Sequence, residues 1–194
     1  MQAAALALGA LPTWHLAYQA GLKENQAIAI AFVYLLHPVV FNANLFDFHP
    51  ELIAVPLLLA AVLAARLGQV GWFCLSIIPV LGCKEVLSLT VAAMGVWLLL
   101  FEKRRLYGAI AICAGVVWFL IATQLIIPFF SGAEAAAVGR YSYLGNSVLG
   151  IAKNTVFQPG LLVGKVFSLN NLEYLVLLLA PVIWGLSLQG VKPL

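Results

Sequence analysis

Long apolar runs separated by short polar clusters set the rhythm of this chain. The runs cover residues 2–21, 27–43, 50–65, 70–82, 86–101, 107–128 and 172–189. A helix crossing a bilayer needs about 20 apolar residues at about 1.5 Å rise each. The pattern therefore predicts seven spans, the third, fourth and fifth of them short. The fourth and fifth could fuse into one helix of about 32 residues, but at about 48 Å it would overshoot a hydrocarbon core of about 30 Å. It would also bury Lys84 and Glu85 midway, each at about 2.5–3.5 kcal/mol on insertion scales. Gly82 offers a break just before them. Two short helices meeting at a membrane surface are the expectation.

Composition agrees with that pattern. Of 194 residues, 64% are hydrophobic and 9% charged, against about half and about a quarter in a soluble domain. Too few polar groups remain to cover a water-facing surface, so the expected fold class is all-α, a polytopic membrane helix bundle forming one domain over 1–194. The net charge of +3 is dispersed and no basic cluster is interleaved with aromatics, which excludes nucleic acid as a partner. Cys74, Cys83 and Cys113 fall inside apolar runs without metal-ligand spacing and read as packing residues. The opening stretch MQAAALALGALPTWHLAYQA has no basic segment ahead of its apolar run, so it reads as a membrane helix rather than a secretory signal. A chain entering a span at residue 1 also reads as a fragment of something longer.

The positive-inside rule orients the spans. The most basic loop, FEKRRLYG, carries Lys103, Arg104 and Arg105 and is assigned to the cytoplasm. Counting spans both ways puts Lys23, Arg66 and Lys192 on that side, six of the ten Lys and Arg residues, with Glu24 and Glu102 as its acids. The outer face receives Lys84, Arg140, Lys153 and Lys165 with Asp47, Glu51, Glu85, Glu134 and Glu173. A fused fourth and fifth helix would separate the basic loop from Lys23 and Arg66, so the short helices are favoured.

That orientation gathers the candidate chemistry on one side. NLFDFHPEL places Asp47, His49 and Glu51 at alternate positions, and GCKEVLSL places Lys84 beside Glu85. Pro50 suits the first turn of a helix, and Glu51 suits its positive end. Capping alone therefore accounts for Pro50 and Glu51, but it does not require the imidazole of His49. Three alternating ligands are not a recognised metal spacing, so no metal site is assigned, and a divalent cation stays open as a cofactor. Adjacent Lys84 and Glu85 cannot point the same way on a helix, so they are not simply one ion pair. Either they form a polar turn or they face a water-filled cavity, with Glu85 as base or metal ligand and Lys84 on a phosphate. His15 and His37 read as packed, hydrogen-bonded residues. Residues 129–171 read as an extracytoplasmic loop followed by an interfacial amphipathic helix. There Arg140, Lys153 and Lys165 meet lipid head groups or a lipid-linked phosphate, and Arg140 beside Tyr141 is the preferred phosphate pair.

The segments NLFDFHPELIAVPLLLAA, GCKEVLSLTVAAMGVWLL, FEKRRLYG, GVVWFLIATQLIIPFFSG and GRYSYLG, in this order, resemble a family of multi-pass membrane proteins of bacteria and archaea, domain of unknown function 2079. LALGALPTWHLA looks like the helix that precedes the family's FDFHPE region. The resemblance covers nearly the whole chain. One departure is Val86, where the family pattern often has an aspartate after the glutamate. Those proteins are in turn similar to GT-C glycosyltransferases, which use polyprenyl-phosphate-linked sugars on the extracytoplasmic face. The resemblance thus implies a GT-C-like bundle in the inner membrane of a prokaryote, with membrane lipid and a polyprenyl-phosphate sugar as partners. It also implies that the first span and acidic outer loop of such enzymes lie outside this chain.

On that reading Asp47, His49 and Glu85 line the catalytic pocket. Glu51, Lys84, Arg140 and Tyr141 lie on the substrate side, with Lys84 and Arg140 near phosphate. A carboxylate takes the acceptor's proton while cations steady the departing lipid phosphate. A transporter or lipid flippase, using the same charges for protons or substrate, and a non-catalytic membrane scaffold remain the alternatives.

Overall fold

Every regular element of the computed structural model is helical among the residues it describes, which are 2–45, 49–131, 144–145, 148–158, 160, 163–164 and 167–180. Proline decides where the first helices break. Hydropathy predicts one span over 2–21, but the chain forms α1 (Gln2–Leu8) and α2 (Ala10–Gln19). The ring of Pro12 excludes the carbonyl four residues back, that of Leu8, where α1 stops. The Leu6 carbonyl nearby accepts the Tyr34 hydroxyl at 2.9 Å. The segment 27–43 likewise divides into α3 (Glu24–Leu36) and α4 (Pro38–Leu45). His37 between them is extended at φ −60° and ψ 127°, as a residue preceding proline must be. Its Nδ1 accepts the Val39 N–H at 3.2 Å and so caps α4. On α2, the His15 ring lies 5.8 Å from that of Trp14.

Beyond Pro50 the helices are longer. A 3-10 turn at Pro50–Ile53 leads into α5 (Ala54–Leu67), which ends at Gly68 in the left-handed region at φ 76°. Then follow α6 (Val70–Cys83), α7 (Leu87–Leu100) and α8 (Arg105–Ile121). Lys84–Val86 interrupts α6 and α7, so no fused helix forms. Among the described residues, two helices are long and apolar enough to cross a bilayer: Pro50–Leu67, with mean hydropathy 1.9, and Arg105–Phe130, with 2.4. The apolar helices α3, α6 and α7 are shorter, and 14 residues reach only about 21 Å against a core of about 30 Å. Among the described residues the predicted segments thus resolve into two full-length helices and several short ones, and a count of seven spans is not confirmed.

The described residues up to Leu120 form one compact unit and those from Ile121 a second. In the second, the backbone widens into a π-helical turn at Ala122–Ile126 before α9 (Ile127–Ser131). Pro128 lacks an N–H and excludes the Gln124 carbonyl, a sufficient cause for that wider turn. Next come α10 (Val148–Phe157), where Asn154 donates to the Leu144 carbonyl at 2.6 Å, and α11 (Leu169–Leu179). Residues 181–189 of the last predicted span lie outside the described residues.

The core of the first unit is built from α5 to α8. Ala54, Ala61, Ala64 and Ala65 of α5 pack with Phe73, Ile77 and Val80 of α6, Val91 and Leu98 of α7, and Tyr107 and Ala111 of α8. Phe73 meets Tyr107 edge-on at 5.2 Å and 89°. Meanwhile Trp72, Leu75 and Ile78 on the far face of α6 are 57–64% exposed. Four alanines of α5 turned into the core and large apolar residues turned outward suit a lipid solvent, where close backbone approach favours helix association. The α7–α8 seam shows that approach directly. A Cβ on Gly95 would lie 2.8 Å from the Gly108 carbonyl oxygen, and one on Gly108 would lie 2.8 Å from that of Gly95.

Candidate functional site

Polar side chains of the first unit collect at two opposite ends of the antiparallel α5–α6 pair. At the first end, His49 is extended at φ −116° and ψ 109°, as its position before Pro50 requires. Pro50 opens the 3-10 turn, placing Glu51 in its first positions. No side-chain cap forms there. Instead the Glu51 carboxylate accepts the Lys84 ammonium at 2.8 Å. Lys84 reaches it because the break after Cys83 throws its backbone into an extended conformation, φ −162° and ψ 141°. The two side chains are 28% and 37% exposed, so the pair is open to a ligand. Lys84 therefore pairs with Glu51, 33 residues away, and not with its neighbour Glu85. The Glu85 backbone carbonyl accepts the hydroxyl of Ser88, which is fully buried at the start of α7.

A residue without a sequence-based assignment organises this end. Gln2 is buried, and its amide Nε2 donates to the Ala43 carbonyl at 2.7 Å while its Oε1 accepts the His49 N–H at 3.0 Å. One side chain thus holds both flanks of the segment that carries Asp47. The available signal was a lone amide in a twelve-residue apolar opening, since an amide at that depth must find partners.

The second end is basic. Arg66, in the last turn of α5, forms an ion pair with Glu102. Arg104 donates through Nη2 to the Arg66 carbonyl at 2.9 Å, and its own N–H bonds the Leu98 carbonyl at 2.9 Å. The pair is shielded, with side chains 20% and 7% exposed. The charge count grouped Arg66 with the loop at 101–105, and these bonds join them. From Glu51 to Arg66 the helical rise is about 23 Å, less than a hydrocarbon core of about 30 Å. Pairing each charge with an opposite one is the economical way to hold ionised groups at such spacing.

Asp47, Arg140, Tyr141 and Lys165 lie outside the described residues. Of the other candidates, Glu51 and Lys84 touch, His49 stands two residues before Glu51, and Glu85 flanks Lys84. Among the described residues, no three His, Cys, Asp or Glu side chains gather closely enough to hold a metal ion. An apolar groove between α2 and α3, lined by Leu11, Trp14, Ile28 and Phe32, includes none of the candidate residues.

No curated protein and no solved structure matches this chain. A family described as predicted membrane protein (DUF2079) matches residues 1–191. With that match over nearly its whole length, and with two helices able to cross a bilayer, the chain belongs to the DUF2079 family of membrane proteins.

Proposed function

We propose that this membrane protein is a polytopic, GT-C-like glycosyltransferase acting on a polyprenyl-phosphate-linked sugar at the extracytoplasmic face of a prokaryotic inner membrane. The observation that carries the reading is the open Glu51–Lys84 pair at 2.8 Å, which joins the two segments bearing His49 and Glu85. An ammonium held by a partly exposed carboxylate can exchange that partner for a lipid phosphate. The acceptor hydroxyl oxygen attacks the anomeric carbon, and the bond from that carbon to the phosphate oxygen breaks with its electron pair on the phosphate. The hydroxyl proton passes to Asp47 or Glu85 as base, His49 lines the same pocket in this reading, and Lys84 and Arg140 neutralise the departing phosphate. In this reading 1–194 is one membrane domain, and 129–171 brings Arg140 and Tyr141 to the outer face. The test is transfer from a polyprenyl-phosphate sugar in proteoliposomes. Asp47→Asn or Glu85→Gln, whichever removes the base, should lower transfer by about 100-fold or more, the usual worth of a general base. Normal transfer by both variants would sink the assignment.

Two helix interruptions favour a second reading, a lipid or solute transporter. The short helices α6 and α7 meet at Lys84–Glu85, and a π-helical turn interrupts the 26-residue helix. Interrupted helices of this kind line transport sites. Uptake or flipping in the same proteoliposomes, without any transferred product, decides for that class.

A further inference from the structure

The basic end carries more charge than its internal bonds use. Arg66, Lys103, Arg104 and Arg105 stand against the single acid Glu102, leaving +3 within one turn of chain and the helix end beside it. Arg66 spends its charge on Glu102, and Arg104 holds the Arg66 carbonyl. Lys103 and Arg105 are exposed and stand outside those bonds.

The position of this cluster points to its ligand. Arg66 lies in the last turn of Pro50–Leu67 and Arg105 is the first residue of Arg105–Phe130, the two helices able to cross a bilayer. In a bilayer crossed by these two helices, the cluster would stand where both leave the hydrocarbon, at head-group depth. Lys103 also stands out by its backbone. It is held at φ 55°, in the left-handed region that glycine adopts freely and a residue with a Cβ disfavours. The turn would relax with glycine there, so the backbone by itself gives no reason for a lysine at this place.

We propose that the Arg66–Arg105 cluster binds the phosphate of an anionic phospholipid head group, with Lys103 and Arg105 as its direct contacts and the Arg66–Glu102 pair as the platform holding them. This site is at the opposite end of α5 from Glu51–Lys84 and does not depend on the reading proposed for that end. The phosphate diester of phosphatidylglycerol carries the net negative charge that the cations match, whereas phosphatidylcholine cancels its phosphate with its own choline.

The test is lipid retention by the purified full chain in micelles doped with equal phosphatidylglycerol and phosphatidylcholine, read by native mass spectrometry. The wild type should retain phosphatidylglycerol in excess. Lys103→Gln with Arg105→Gln should lower that excess by about fivefold per cation removed, on the order of 1 kcal/mol each. Lys103→Gly should melt higher in phosphatidylcholine while losing selectivity, a combination that a purely structural lysine does not produce. Equal retention of both lipids by the wild type overturns the proposal without any variant. Unchanged selectivity in the folded variants also overturns it. Displacement of phosphatidylglycerol by inorganic phosphate alone would show a site for free phosphate and defeat the lipid assignment.

Discussion

The two polar ends of the α5–α6 pair use the same chemistry, a basic side chain on a carboxylate, in different surroundings. Arg66 and Glu102 are largely covered, and the Arg104 guanidinium ties the same turn to the α5 backbone. Lys84 and Glu51 are joined by one contact at 2.8 Å and stay open. A shielded pair is expensive to break, because the surviving charge keeps its desolvation cost. An open pair contributes little stability and exchanges readily. Burial, more than the ionic contact itself, separates the end that holds the fold from the end suited to binding.

Glu102→Gln attacks the shielded end and should have the largest effect. It leaves the mostly covered Arg66 charge without its carboxylate, at about 3–5 kcal/mol, read as a lower melting temperature and denaturant midpoint in detergent. A loss no greater than that of the open pair would erase the distinction between the ends.

Gln2→Ala comes next and tests what organises the open end. Removing the amide takes one hydrogen bond each from the Ala43 carbonyl and the His49 N–H, at about 0.5–1.5 kcal/mol per part-buried bond. Hydrogen exchange at the His49 amide should quicken, while the amides around Arg66 keep wild-type protection. Equal loosening at both ends would mean that Gln2 supports the whole unit.

Glu51→Gln should change stability least, by at most about 1 kcal/mol for so exposed a pair. It frees the Lys84 ammonium, so binding of a polyprenyl phosphate should tighten, and Lys84→Gln should weaken it. If Glu51→Gln destabilised as much as Glu102→Gln, the open pair would be a structural lock.

Much of the architecture could be read in advance, and the failures have a common cause. The breaks near Pro50, at Lys84–Val86 and in the basic loop followed from hydropathy and charge. The breaks at Gly9 and His37 did not, because a hydropathy window registers apolar character and is blind to the carbonyl that Pro12 displaces or the ψ that Pro38 imposes. Among the candidate residues, Glu51 and Lys84 were named separately, and adjacency directed attention to Lys84 with Glu85. Gln2 went unassigned because its partners, Ala43 and His49, lie 41 and 47 residues away.

By itself the sequence determined a helical membrane protein with its cations concentrated near the 101–105 loop. In lipid, backbone hydrogen bonds must close locally, so composition and run length suffice to specify helices. Only the tertiary structure decided which charges meet, Glu51 with Lys84 and Arg66 with Glu102, and that one pair is open while the other is covered. Those outcomes depend on distances across helices and on what packs over each pair. Neither local spacing nor hydropathy encodes them.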